Sequence, residues 1–156
     1  MNLALNDYAT DKGNVKYQGV KDVIKFIIPQ SYCKIYLKMV YLCFGIRPSQ
    51  YHMLGVKWKF DGDKEATCLV DTRLMMGASK SPSVFHRLSQ AVKRFMRKGG
   101  YQLVAYLHDY IIVADDYVTC LKGQHTLIRL LRELGFTIYI TRSMGPLKTS
   151  FPRYRN

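Results

Sequence analysis

Several features that would assign this chain to a membrane, a secreted scaffold or a zinc-binding class are missing. No apolar run approaches the roughly 18 residues that a spanning helix needs, and the mixed, polar first residues do not resemble a charged leader followed by an apolar run. The four cysteines are scattered without a C-x-x-C pair, so we expect free thiols rather than a zinc site or a disulfide framework. An intracellular location, cytoplasmic or nuclear, and no membrane partner are therefore expected.

Acidic residues are scarce, because 11 Asp and Glu stand against 24 Lys and Arg, which gives a net charge of +13. Such an excess favours a polyanionic partner, above all nucleic acid, although charge that only keeps a protein in solution explains it equally well. Repeats, low-complexity stretches and long linkers are also missing. With 156 residues, 48% of them hydrophobic, the chain predicts a single domain over 1–156. The basic, turn-rich end, 147–156, is predicted to be disordered.

The pattern of apolar residues predicts a mixture of helices and strands. Apolar residues at 20, 23, 24 and 27 predict a short helix, and the run 33–46 predicts a strand that bends at 47–49. Strand-like runs on both sides of D-G-D-K-E predict a hairpin. A second hairpin is predicted from 101–107 and 110–114, with His108 and Asp109 at its tip, and a last strand at 136–140.

Two longer helices are predicted. In 76–98, Gly77 marks a turn, Ser81 is a candidate N-cap and Pro82 is the expected first helical residue. An apolar stripe at a period of 3.6 should face the core. The stripe consists of Val84, Phe85, Leu88, Ala91, Val92, Phe95 and Met96. The basic residues placed away from it are Arg87, Lys93, Arg94, Arg97 and Lys98.

The other helix, 119–134, should turn Leu127, Leu130, Leu131 and Leu134 to the core. Together these elements predict an α+β fold in which helices back one face of an antiparallel sheet. The basic side of the 76–98 helix suits contact with a phosphate backbone, and a solvated helix face is the equally weighted alternative.

Three motifs in a fixed order carry a resemblance that none of them carries alone. A helix opening G-x-x-x-S-P-x-x-F from Gly77 precedes Y-x-x-D at a hairpin tip, and L-x-x-L-G-F follows. This order resembles motifs B, C and D of reverse transcriptase palms, and KIYLKMVYLCFGIRPSQYHMLGVKW resembles their motif A region. The segments VDTRL and GASKSPSVFHRLSQAV look closest to DIRS-type retroelements. The resemblance covers 16–146 and implies a polymerase palm-like sheet with incomplete fingers and no thumb.

The resemblance implies an RNA-directed DNA polymerase that binds Mg²⁺ through one motif A Asp and two motif C Asp residues. This chain has Tyr36, His108 and Asp109 at those positions, so only Asp109 is retained. A phenol with a pKa near ~10 is neutral at pH 7, and imidazole suits zinc or copper better than Mg²⁺. Asp115 and Asp116 lie on the order of 20 Å further along the next strand. We therefore predict that the chain is catalytically inactive and holds Mg²⁺ weakly, through Asp109 only.

The resemblance also assigns three nucleotide-binding positions. Tyr41 matches the bulky residue that rejects a ribose 2′-hydroxyl, although strand periodicity alone makes it a buried aromatic. Gly77 matches the motif B glycine beside the nucleotide and the primer-template. Arg142 falls near the motif D lysine; a guanidinium can hold phosphate charge but cannot act as an acid, and such a residue is more often only solvated.

Three functions stay open at this point. The first is a retroelement reverse transcriptase fragment that binds an RNA or DNA template-primer beside flanking retroelement domains. The second is a retained nucleic-acid-binding module without catalysis. The third is a protein-interaction module derived from a palm.

Overall fold

A computed structural model of the chain describes residues 31–148, and these fall into two compact units. The first unit contains residues 41–81, and the second contains residues 31–40 and 82–148. The helix expected at residues 20–27 lies outside the described residues. Neither helix within 31–148 combines the length and the apolar character that crossing a lipid bilayer requires.

The first unit contains the predicted hairpin. Strand β2, Gly55–Trp58, pairs antiparallel with β3, Thr67–Val70, and Gly62 takes a positive φ of 92° in the connecting turn. The hairpin prediction is thus confirmed. The bend predicted at 47–49 is the start of a 3-10 helix, Pro48–Leu54, because proline is pre-set for the first helical position.

The second unit is built around a five-stranded antiparallel sheet. Its strands are β1 (Ser31–Lys38), β4 (Gln102–Tyr106), β5 (Asp109–Ala114), β6 (Thr137–Ile138) and β7 (Met144–Lys148). Strand β1 is central, because β5 pairs along one of its edges while β6 and β7 share the other. The predicted second hairpin is confirmed as β4 and β5.

Two helices, α1 (Ser81–Lys98) and α2 (Tyr117–Glu133), cover one face of this sheet. Ser89 of α1 is within hydrogen-bond distance of Tyr110 on β5, and Cys120 of α2 contacts Cys33 on β1. Both strand residues belong to the same face, since Tyr110 pairs with Ile35, two residues from Cys33. The predicted α+β arrangement, with helices on one face, is confirmed.

Burial along β1 alternates with a period of two, as expected for a strand with one covered face. Cys33, Ile35 and Leu37 are buried under the helices, whereas Lys34 and Tyr36 point to the other face and are half-buried. Burial beside Cys120 also raises the pKa of the Cys33 thiol. The sheet therefore has a packed face and an open face, and the open face carries the candidate site.

Two predicted strand limits were wrong, and a further strand, β7, was not predicted. Strand β1 ends at Lys38 rather than continuing to 46, because Met39 adopts a left-handed φ of 52° and a 3-10 helix, Val40–Cys43, follows. The strand predicted at 136–140 is only Thr137–Ile138, and a 3-10 helix, Ile140–Arg142, replaces its end. Strand β7 includes residues 147 and 148, which the sequence assigned to a disordered tail; the rest of that tail lies outside the described residues.

The buried face of α1 differs from the predicted apolar stripe. Phe85, Val92 and Met96 are buried as expected, but Val84, Ala91 and Phe95 are exposed. The residues that complete the buried face are polar: Ser81, Ser89 and Lys93. The helix is therefore rotated toward Ser89, whose hydrogen bonds offset the cost of burying its hydroxyl.

The start of α1 lies within one residue of the predicted one. The helix begins at Ser81, whereas Pro82 was the expected first helical residue, and the Ser81 hydroxyl donates to the Met75 carbonyl at 2.6 Å instead of capping the helix. Helix α2 begins two residues earlier than predicted, because the Asp116 carboxylate accepts a hydrogen bond from the Thr119 amide at 2.8 Å. Of its predicted core residues, Leu134 is exposed, since it is the C-cap and not part of the last turn.

Candidate active site

The β4–β5 hairpin turn presents two polar residues at a fixed point. Leu107 takes a left-handed φ of 48°, and the Ser89 hydroxyl donates to its carbonyl at 3.0 Å. From β1, the Leu37 amide donates to the His108 carbonyl at 3.1 Å. Because the turn is held from both the helix and the neighbouring strand, Asp109 emerges at a defined position at the start of β5.

The strand register places Tyr36 directly opposite Asp109. Paired residues in antiparallel strands have Cα atoms about 5 Å apart and point to the same face. Tyr36 and the His108–Asp109 tip therefore lie adjacent on the sheet. Both side chains belong to the open face, opposite the two helices.

The Asp109 carboxylate is a partly buried group with few direct partners. Its side chain is 25% exposed, its Oδ1 atom is buried without a hydrogen-bond partner, and His108 Nε2 lies 3.6 Å away. Burial raises the pKa of Asp109, while electrostatic interactions with His108, Lys34 and Arg142 oppose that rise. Burial is the larger of these effects.

Tyr36 is held by groups on three sides. Lys34 Nζ donates to the Tyr36 hydroxyl and lies 4.1 Å from the centroid of its ring. The Tyr36 amide donates to Ser143 Oγ at 3.1 Å, and its carbonyl accepts from the Tyr139 amide at 2.8 Å. Alternation along β1 explains why Lys34 and Tyr36 meet, since residues two apart share a face.

Arg142 reaches the open face from the other edge of β1. It ends the Ile140–Arg142 3-10 helix, and its guanidinium carbon lies 5.4 Å from the ring centroid of Tyr139. Ser143 fixes this segment, because its hydroxyl donates to the Tyr139 carbonyl at 2.9 Å while accepting from the Tyr36 amide. The site thus collects two cations and one carboxylate, and the charges of both cations act on Asp109.

These residues do not fit a pair of magnesium ions. Each ion needs several oxygen ligands in near-octahedral geometry, with carboxylates preferred. Asp109 offers one carboxylate, and the Tyr36 phenol already accepts a hydrogen bond from Lys34. Across residues 31–148 no three His, Cys, Asp or Glu side chains form a metal-binding group. The cations of Lys34 and Arg142 further disfavour a second cation near Asp109.

Neither Asp115 nor Asp116 substitutes for the carboxylates that the resemblance requires. Asp116 caps α2, and its hydrogen bonds with Thr119 lower the pKa of the carboxyl below its usual value. Asp115 precedes it in the exposed connection that follows β5. Both therefore lie at the end of β5 remote from Asp109, as the sequence spacing predicts.

The remaining nucleotide-binding candidates, Tyr41 and Gly77, belong to the first unit. Tyr41 is half-buried in the 3-10 helix and not in a strand, because β1 ends before it. Gly77 has a φ of 89°, a conformation that favours glycine, which agrees with the predicted turn before α1. Their roles toward a nucleotide stay predictions from the resemblance.

The basic residues predicted on α1 separate into two sets. Arg87, Arg94, Arg97 and Lys98 are exposed. Lys93 is only 7% exposed, so its placement on the solvent face was wrong. It lies one turn after Ser89 and shares the face that the rotation of the helix buries. The exposed four keep the predicted basic surface, which we call the α1 basic surface.

Lys34, which contacts Tyr36, and Ser89, which holds the hairpin turn, were not predicted from the sequence to belong to the site. Strand alternation could have identified Lys34, because a residue two positions before Tyr36 must share its face. No comparable signal existed for Ser89, since a serine within an amphipathic helix is ordinarily assigned to solvent.

Comparison with known proteins agrees with this description. No protein-family model matches the chain. Over 109 residues, 69% of the chain, it is 28% identical to the Gag-Pol polyprotein of avian reticuloendotheliosis virus and spans 10% of that polyprotein. It is 27% identical over 109 residues to the Gag-Pol polyprotein of gibbon ape leukemia virus and spans 6% of its length.

Solved structures share the fold. The foamy viral protease-reverse transcriptase dRH in complex with ds DNA matches 90% of this chain with a TM-score of 0.76 and 16% identity, and the chain covers 23% of it. A CSH mutant of the prototype foamy virus protease-reverse transcriptase matches 90% with a TM-score of 0.72 and 16% identity, and 18% of it is covered. The fold is therefore similar to the polymerase fold of these proteins, and together with the Gag-Pol similarity it supports a reverse-transcriptase-like domain.

Proposed function

We propose that the chain is a nucleic-acid-binding domain descended from a retroelement reverse transcriptase, and that it does not synthesise DNA. The observation that carries the proposal is the register pair of Tyr36 and Asp109. It sets a phenol beside the one retained carboxylate, at the place where the resemblance requires carboxylates from both strands. The likeness of VDTRL and GASKSPSVFHRLSQAV to DIRS-type elements, and an intracellular location beside other element domains, are part of the proposal.

Loss of synthesis follows from electrostatics. Two-ion catalysis needs one ion to lower the pKa of the primer hydroxyl and another to neutralise the triphosphate. A single carboxylate at Asp109 cannot hold two hard cations, and Lys34 and Arg142 oppose their approach. The chain spans a tenth or less of its Gag-Pol relatives, so the activities of the whole polyproteins are not carried over to it.

Nucleic-acid binding is supported by charge. The net charge is +13, and the exposed residues Arg87, Arg94 and Lys98 recur at helical spacing along α1. Contacts of this kind follow a phosphate backbone without reading sequence. We expect weak, sequence-independent binding of single-stranded or hybrid nucleic acid. That one fold neighbour was solved with ds DNA agrees with such a partner.

Primer extension tests the loss of synthesis. With an RNA template, a DNA primer and Mg²⁺, the unmodified chain should extend no more primer than the Asp109→Ala variant does. Extension by the unmodified chain that Asp109→Ala abolishes would contradict the proposal. Activity in a Tyr36→Asp, His108→Asp double variant, absent from both single variants, would identify these as metal-ligand positions, because such positions act as a unit.

A salt titration tests the binding. Changing Arg87, Arg94 and Lys98 to Gln should weaken oligonucleotide binding and reduce the slope of log affinity against log salt by about 2 to 3. The matched control changes three cations of α2, Lys122, Arg129 and Arg132, to Gln and so removes the same charge. Equal effects in both triple variants would show that net charge, not the α1 basic surface, carries the binding.

A second candidate function is protein interaction through α1. The exposed apolar residues Val84, Ala91 and Phe95 follow one row of the helix beside the basic residues. An apolar row of this kind suits contact with another protein. If Phe95→Ser lowers self-association in sedimentation while oligonucleotide binding stays unchanged, the second function is favoured.

A further inference from the structure

Two tyrosine–cation pairs lie side by side on the open face of the sheet. Lys34 lies over the ring of Tyr36 at 4.1 Å, and Arg142 lies over the ring of Tyr139 at 5.4 Å. The backbone joins the two pairs, because the Tyr139 amide donates to the Tyr36 carbonyl at 2.8 Å. The four side chains therefore come from two adjacent segments, and the charges of Lys34 and Arg142 both act on Asp109.

Lys34 and Arg142 keep N–H donors that Asp109 does not use. Within the described residues neither Lys34 nor Arg142 forms a direct ion pair with Asp109, although both charges act on it. An ammonium has three N–H donors, and the Tyr36 hydroxyl accepts only one from Lys34. A guanidinium has five N–H donors, and the Arg142 side chain is exposed.

The balance of charge at this place is positive. Two fixed cations stand against one carboxylate, and that carboxylate is partly buried. A positive site with outward N–H donors favours an anion with several oxygen atoms, and phosphate matches the fork of a guanidinium. The exposed ring of Tyr139 is an aromatic surface of the kind on which a base can stack beside such a phosphate.

We propose that Lys34 and Arg142 form a phosphate-binding site that requires no metal ion. The proposal rests on the proposed function, since it takes its ligand from a nucleotide or a nucleic-acid strand. In this arrangement protein cations neutralise the phosphate charge that divalent ions would otherwise neutralise. Tyr36 positions Lys34 through its hydroxyl, and Tyr139 positions Arg142 through its ring.

The Asp109→Asn variant distinguishes a metal-free phosphate site from a metal site, because the two predict opposite effects of this change on phosphate affinity. If a metal ion bridged the protein and the phosphate, Asp109→Asn would weaken phosphate binding. In a metal-free site the carboxylate repels the ligand, so the same change should tighten binding by about fivefold, the effect of one partly exposed charge pair. Lys34→Met and Arg142→Met should each weaken it by about fivefold for the same reason.

Calorimetric titrations with two probes test the site and separate its two ligand sources. The probes are inorganic tripolyphosphate and a single-stranded oligonucleotide, each titrated with EDTA and with Mg²⁺. Lys34→Arg keeps the charge and should retain affinity within about twofold, which separates loss of charge from loss of fold. Arg129→Met, on the outer side of α2 with a side chain that is 76% exposed, is the matched control for charge removal.

Binding of either probe in EDTA, weakened by Lys34→Met and Arg142→Met but not by Arg129→Met, is the expected result. Tripolyphosphate alone would point to a free nucleotide as the source, and the oligonucleotide alone to a strand. Binding that needs Mg²⁺ and is lost in Asp109→Asn would overturn the site, as would no binding of either probe. Oligonucleotide binding that depends on Arg87 and Arg94 but not on Lys34 would retain the proposed function and reject this inference.

Discussion

Ser89 supports the hairpin tip from the covered side of the sheet, and its removal should show how firmly that tip is held. The residue is fully buried, and its hydroxyl lies 3.0 Å from the Leu107 carbonyl and 3.1 Å from the Tyr110 hydroxyl. Since the serine proton goes to the carbonyl, the tyrosine hydroxyl donates to the serine oxygen. One side chain therefore satisfies two groups of the hairpin that presents Asp109.

Ser89→Ala removes both hydrogen bonds at once. A buried polar group left without a partner costs about 1–3 kcal/mol. The Tyr110 hydroxyl loses its acceptor inside the core, whereas Leu107 is half-buried and its carbonyl can be partly hydrated. We therefore expect Ser89→Ala to lower the free energy of unfolding by roughly 2–3 kcal/mol.

A double-mutant cycle that combines Ser89→Ala with Tyr110→Phe measures the energetic coupling between the two hydroxyl groups. Tyr110→Phe removes the hydroxyl but leaves Ser89 bonded to Leu107, so it should cost about 1 kcal/mol. In the double variant no tyrosine hydroxyl is stranded, so the total should be about 1 kcal/mol less than the sum of the single changes.

Urea unfolding followed by circular dichroism measures all four proteins, and Tyr101→Phe, in a half-buried tyrosine of the same unit, is the control for loss of a phenol. Additive changes, or a Ser89→Ala cost below about 0.5 kcal/mol, would refute the assigned network, since such a cost is typical of surface substitutions.

Three further predictions follow from other groups. Burial raises the pKa of Tyr110 to about 12, so the unfolded state ionises first and stability should fall as pH rises from about 10 to 12; urea midpoints of Tyr110→Phe should lack this loss. Burial also raises the pKa of Asp109, so the stability that its protonated form contributes is lost as pH rises through that pKa. In urea unfolding, Asp109→Asn should therefore be more stable than the unmodified chain at pH ~7 and equal to it below pH ~4. The reverse order would contradict this. Gly123→Ala should lower the melting temperature, because the added Cβ would lie 2.9 Å from Tyr101 and 3.2 Å from the buried, β-branched Ile112. Overpacking of this kind costs about 1–3 kcal/mol, which outweighs a helix-propensity gain of about 1 kcal/mol. An unchanged or higher melting temperature would contradict this prediction.

The sequence predicted the site better than it predicted the helix beneath it. The resemblance to motifs A and C identified Tyr36 and Asp109, which the strand register pairs. The residue types on α1 did not predict which face of the helix is buried. An apolar stripe shows which side chains favour burial, but it does not show which polar side chains form hydrogen bonds with the sheet. Ser89 and Lys93 are buried because α1 is rotated toward Ser89, and the same rotation leaves Phe95 exposed.

The ends of the sheet were also hard to predict for a physical reason. Strand β7 contains Gly145 and Pro146, both poor strand formers, so its pairing with β1 is a tertiary effect that local preference does not indicate. The left-handed Met39 similarly ends β1 within a run that is rich in β-branched and aromatic residues. In both places long-range contacts override local propensity.

The alternation along β1 has a consequence for how such a domain changes over generations. Cys33, Ile35 and Leu37 belong to the core, while Lys34 and Tyr36 face away from it. Substitutions on the open face therefore disturb the core less than substitutions on the packed face do, and selection for folding removes only changes that bring stability below a threshold. Clustered carboxylates also repel one another, so replacing them relieves strain in the native state. A domain of this kind drifts toward a stable, well-folded chain whose chemistry selection for folding alone can neither protect nor restore.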